Sequence, residues 1–149
     1  MHLRESNRDR GFSVLELLVV MGISAIIFSL AVLDTKSYGN QALNGASTLM
    51  GFLKSSRAKA LATTQAYTLT ATSPTHVASA YSTNCASATQ TLDPALSLDL
   101  PDGAVFTATP WTVCFTPRGL SDSSIDIQVQ DQHSAHTVQV VLGGAIRVQ

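Results

Sequence analysis

Few side chains in this sequence combine chemistry-bearing types with a useful spacing. Glu16 is the one formally charged residue between Phe12 and Leu33, inside "GFSVLELLVVMGISAIIFSLAVL". Cys85 and Cys114 are its two cysteines, and His133 and His136 flank the tip of "DQHSAH". Arg118 and Arg147 stand in "TPRGLS" and "GGAIRVQ". No CxxC or HxxxH spacing offers a metal ligand set, so no metal is expected and the histidine pair reads as an exposed polar turn. Serines and aspartates are scattered without a nucleophile elbow or phosphate loop, so neither an enzyme nor a cofactor is expected.

The two thiols permit one reaction. In an oxidising compartment Cys85 and Cys114 could pair, closing a loop of about 30 residues and stabilising the fold by about 3 kcal/mol. Two reduced, buried thiols that never meet are the alternative, and spacing alone leaves both open.

Composition bounds the rest. The 149 residues suffice for one small domain, and a net charge of −1 with only 13% charged residues provides no strong basic field for nucleic acid or anionic lipid. Beyond residue 60 the chain is rich in Thr, Ser and Ala, which suits an exported β-rich domain better than a cytosolic enzyme.

Residues 12–33 would extend about 33 Å as a helix, close to the thickness of a hydrocarbon core. Arg4, Arg8 and Arg10 precede them and favour a cytoplasmic leader with the remainder exported. Three readings compete. A secretory signal peptide could be cut after Ser29-Leu30-Ala31, a plain anchor could stay uncut, or the leader alone could be removed. Glu16 separates them, because a buried acid costs roughly 2.5–3.5 kcal/mol on insertion and neither of the first two readings gains from it. It lies near the end of the helix, where reaching the headgroups reduces that cost.

The run Gly11-Phe12-Ser13-Val14-Leu15-Glu16, after a basic leader and before a long apolar segment, resembles the class III signal of type IV pilins and type II secretion pseudopilins. The resemblance implies cleavage between Gly11 and Phe12 by a prepilin peptidase, N-methylation of Phe12, and a role for Glu16 in filament assembly. Cutting there creates an ammonium at the end of an apolar helix, and a carboxylate one turn along can neutralise it on an adjacent subunit. The implied partners are other pilin or pseudopilin subunits, the peptidase, an inner-membrane assembly platform, and lipid before assembly. The implied location is the bacterial inner membrane, single-pass with a periplasmic head, and then the filament.

Further elements follow from periodicity. Leu43, Ala46, Met50, Leu53, Arg57, Ala60 and Leu61 fall mostly three or four apart, so an amphipathic helix is expected to continue the apolar one, loosened at residues 34–40. Arg57 reads as a solvated or snorkelling member of it. "AYTLTAT" (66–72) and "HVASAYS" (76–82) read as a hairpin about Ser73-Pro74-Thr75, followed by a polar loop. Segments 104–109, 111–116, 124–131, 136–142 and 145–149 read as strands, with Ile125, Ile127 and Val129 on one face and Trp111, Val113 and Phe115 in the core. The expected fold is α+β: a long N-terminal helix, half membrane and half amphipathic, packed on a small antiparallel head. The expected divisions are a removed leader (1–11), a transmembrane or filament-core helix (12–33), its amphipathic continuation (34–63) and a β-rich head (64–149).

Two stretches of the head, "SSRAKALATTQAYTL" and "VCFTPRGLS", resemble the GspH/FimT family of minor pseudopilins and minor pilins. Arg57 belongs to the first and the Pro117-Arg118-Gly119 turn to the second. The resemblance implies a minor subunit that primes or caps a type IV pilus, with support of natural transformation as a further implied role, or else a type II secretion pseudopilus. Some FimT-like pilins bind DNA through a C-terminal Gly-Arg-x-Arg stretch. Here the region reads Gly143-Gly144-Ala145-Ile146-Arg147, so only Arg147 remains, with Arg118 as a second candidate. Without the leader the chain carries six basic against eight acidic side chains, poor in cations for duplex binding.

Overall fold

A computed structural model describes residues 13–34 and 39–149, with side chains described for residues 13–25 and 39–149. The expected leader, Gly11 and Phe12 lie outside the described residues, as does the segment 35–38. Residues 1–39 and 40–149 form two separate compact units.

In the first unit, α1 runs over Val14–Asp34. Ser13 begins it: its carbonyl accepts from Leu17 N–H at 3.1 Å and its hydroxyl from Leu15 N–H at 3.3 Å.

The second unit opens with α2, Gln41–Thr63. Helix α2 starts afresh, since Asn40 is extended and its side-chain oxygen accepts from Leu43 N–H at 2.8 Å. The helical reading holds for α1 and for α2, with Asn40 as the start signal of the second; the loosening expected over 34–40 falls largely on residues outside those described. Helix α2 ends at Thr64, which takes the left-handed conformation with φ 54°.

Its buried stripe is Ala42, Gly45, Ala46, Leu49, Phe52, Leu53, Ser56 and Ala60. This shifts the expected face, because Leu43 and Leu61 remain 41% and 49% exposed. Small residues set the new phase. A Cβ on Gly45 would stand 2.8 Å from Ala104 Cβ and 3.0 Å from Val129 Cγ1, so glycine permits the close approach of helix and strands. Ser56 is fully buried and returns its hydroxyl to Phe52 O at 2.8 Å.

Nine strands follow among the described residues: β1 Ala66–Ala71, β2 His76–Ser82, β3 Thr91–Leu92, β4 Leu98–Asp99, β5 Val105–Phe106, β6 Trp111–Phe115, β7 Ile125–Gln130, β8 Ala135–Val140 and β9 Ile146–Val148. One antiparallel sheet has the order β3-β2-β1-β6, with β4 also paired to β2, and the other is β5-β7-β8-β9. Helix α2 packs on strands of both. In the first sheet Leu69 faces Ser79 and Val113, and in the second Ile127 faces Val138. Trp111, Val113, Phe115, Ile127 and Val129 are all buried, as their alternation requires. The strand expected over 104–109 shortens to Val105–Phe106, and β3 and β4 rise from segments that carry no strand pattern. The architecture is an α+β fold, a helix on antiparallel sheet.

Candidate functional site

The N-terminal site is built on the first turn of α1. Ser13 and Glu16 have the S-x-x-E spacing of a capping box, in which the acid reaches back to the cap. Among the described residues the Ser13 hydroxyl instead accepts from Leu15 N–H, and Glu16 makes no hydrogen bond or ion pair there. Its carboxylate lies in the first turn, where the helix dipole favours negative charge. Around it Val14, Leu15, Leu17, Leu18, Val19, Val20, Met21 and Ile23 are each more than half exposed. They cover the helix on all sides, so its apolar surface is not confined to one face.

In the head, Arg57 departs from the snorkelling role. Its Nε donates to Gly119 O at 2.8 Å and its Nη1 to Gly144 O at 2.7 Å. The two turns touch one another as well, since a Cβ on Gly144 would lie 2.2 Å from Gly119 O. Both glycines have positive φ, 71° and 75°, so each is needed for conformation and for closeness. One planar cation thereby holds the β6–β7 and β8–β9 turns against α2. Cys85 and Cys114 form a disulfide with Cα atoms 5.8 Å apart, tying the β2–β3 loop to β6.

A family model described as the prokaryotic N-terminal methylation motif matches residues 6–32. Among solved structures, the type IV minor pilin FimU of Pseudomonas aeruginosa is similar with a TM-score of 0.59 at 13% identity. The likeness covers 74% of this chain and 89% of that one. At that identity it is a likeness of fold. The chain is pilin-like in two respects: it carries this methylation motif, and its fold is like that of a type IV minor pilin. No curated protein matches its sequence.

The motif joined to the fold indicates a structural subunit, and a type IV pilin implies other pilin subunits and a prepilin peptidase as partners. Gly11 and Phe12 fall within the matched motif but outside the described residues. Among the described residues no helix is long and apolar enough to cross a membrane. The side chains of residues 26–34, the distal part of the apolar run, lie outside that description.

The remaining candidates of the pilin-like protein separate. Arg118 and Arg147 are both exposed, the first in the turn before Gly119 and the second on β9 opposite Gln139. His133 and His136 serve the neck of the head. His136 Nε2 lies 3.3 Å from Asn40 Nδ2, and His133 N–H donates to Asp131 Oδ1 at 2.7 Å. No group of three or more metal-ligating side chains occurs among the described residues. Asp131 is the residue that local pattern could not reveal. It accepts from the N–H groups of Ala42, His133 and Ser134, which hold its carboxyl well below the usual carboxylate range.

Proposed function

We propose that this chain is a minor pilin-type subunit, cut between Gly11 and Phe12, methylated at Phe12 and incorporated into an envelope filament. The observation that carries the reading is the methylation motif over residues 6–32 joined to a pilin-fold head. The apolar helix serves first as an anchor in the inner membrane and then as part of the filament core. There Glu16 neutralises the new ammonium of Phe12 on a neighbouring subunit. Exposure of Glu16 and the all-round apolar surface of residues 14–23 support this assignment. N-terminal sequencing of the mature protein tests it: methyl-phenylalanine from Phe12 is expected, and a chain beginning at Val32 would sink the reading.

We assign the filament to the type IV pilus, with the GspH/FimT group as the nearest class. That assignment rests on likeness to a minor pilin's fold and on the two head motifs, which Arg57 and Gly119 join by a hydrogen bond. A secretion pseudopilus shares the same processing signal. Deleting the gene and scoring twitching, transformation and exoprotein release separates the two. DNA capture is a second reading, favoured by exposure of Arg118 and Arg147 on segments next to the two touching turns. Arg57 is committed to carbonyls, so few phosphate contacts remain and binding is expected to fade steeply with salt. No gel shift at micromolar protein and low salt would dismiss this reading.

A further inference from the structure

A cleft of 370 Å³ opens on the head away from the Arg57 turns, between Gln65, the end of β2, β3 and the β2–β3 loop. Its lining includes Gln65, Tyr81, Thr83, Ser87, Thr89 and Thr91, and no lining side chain is charged. Ser82 and Ser87 spend their hydroxyls on Asn84 O and Thr89 O. The Gln65 amide, the Tyr81 hydroxyl and the Thr89 and Thr91 hydroxyls make no hydrogen bond among the described residues. The Tyr81 ring is held in place by packing on the core, with its centroid 6.1 Å from that of Tyr67.

The outer wall is a polar loop that contributes no side chain to the core cluster, yet it is firmly built. Asn84 accepts from Ala86 N–H with its side chain and from Ser87 N–H and the Ser82 hydroxyl with its carbonyl. The Cys85–Cys114 disulfide then ties this loop to β6. A wall fixed in advance lowers the ordering cost of binding.

We infer that this cleft is a binding site for a neutral saccharide, such as a hexopyranose or an N-acetylhexosamine. With no charged group in the lining, an anionic or cationic ligand gains no partner. An apolar ligand would bury four polar side chains without satisfying them, which is costly. A peptide added in extended form would need a longer edge than the two residues of β3. A pyranose presents C–H groups on its faces and closely spaced hydroxyls at its edges. That suits one fixed aromatic ring surrounded by threonine hydroxyls and a carboxamide. The site is independent of which filament the chain enters.

The test uses the full chain in a zwitterionic, sugar-free detergent, titrated with chitotriose and with maltotriose by saturation-transfer NMR and calorimetry. Saturable binding of at least one sugar is expected, with a dissociation constant on the order of 1 mM, since each hydrogen bond gained replaces one to water. Gln65→Ala and the double variant Thr89→Ala/Thr91→Ala should each weaken it at least about fivefold while melting as the wild type does. Cys85→Ser should weaken it by loosening the wall. No saturable binding of either sugar up to about 20 mM would overturn the proposal. So would binding that both sets of lining variants leave unchanged.

Discussion

The Arg57 guanidinium and the Gly119 carbonyl, 2.8 Å apart, join helix α2 to the turn after β6. The same side chain reaches Gly144 O at 2.7 Å, so a single residue of α2 secures two turns far along the chain. Arg57→Ala is expected to lower the stability of the head by about 2–4 kcal/mol, since both carbonyls lose a charged donor in a partly buried setting. Arg57→Lys should recover only part of this, because an ammonium lacks the planar fork that meets two acceptors at once. Denaturant midpoints of the three proteins check the order.

Two glycines of α2 should respond oppositely to the same change. Gly45→Ala places a methyl 2.8 Å from Ala104 Cβ and should destabilise by about 1–3 kcal/mol. A methyl added at Gly51 would meet nothing within 4 Å, so Gly51→Ala should stabilise by up to about 1 kcal/mol through helix propensity. Thermal melting of both variants reads the sign directly.

Acid should weaken the neck between the Asn40 cap and the β7–β8 turn. Hydrogen bonds from Ala42, His133 and Ser134 hold the folded-state pKa of Asp131 below its unfolded value. Its contribution is therefore complete above the ordinary carboxylate range and is lost as pH falls through the depressed folded value. Asp131→Asn should flatten the acid limb of the stability profile. Lys59 acts at the other end: its hydrogen bond to Asp93 raises its pKa from 10.5, so its contribution holds below that value and is lost as pH rises through the raised one. Melting temperatures across the pH range, with Asp131→Asn and Lys59→Met as controls, test both signs.

Glu16→Ala should leave cleavage and membrane insertion largely intact while abolishing incorporation into filaments. Glu16→Gln separates charge from shape: it keeps the size of the side chain, and on the pairing account it too should fail to assemble. Immunoblots of processed protein beside sheared-filament fractions give the answer. Normal assembly of the glutamine variant would remove charge pairing from the mechanism.

How far each of these features could be read in advance depended on the range of the interaction behind it. The β1–β2 hairpin follows from alternation on either side of Pro74, and the face of Ile125, Ile127 and Val129 from a period of two; both signals are local. The methylation motif is likewise a linear pattern, contained within residues 6–32. The phase of α2 was harder, because its buried stripe is centred on Ala42, Gly45 and Ser56, whose small size matters only against Ala104 and Val129. Arg57 could not be placed from its neighbours, since its acceptors are backbone carbonyls carried by ordinary turns. Spacing allowed the Cys85–Cys114 pair, but only the fold brings the two together. The cleft at Gln65 and Tyr81 is invisible in the chain for the same reason: its lining comes from a helix end, a strand and a loop.

The two bonds of Arg57 span 62 and 87 residues, and that span fixes an order of events. Closing such long loops is slow compared with forming helices and hairpins, so the latch of Arg57 forms after them. Helix α2 and the strand hairpins can therefore be in place while the two turns are still unlatched. A head arrested at that stage keeps both turns loose and is left open to proteolysis.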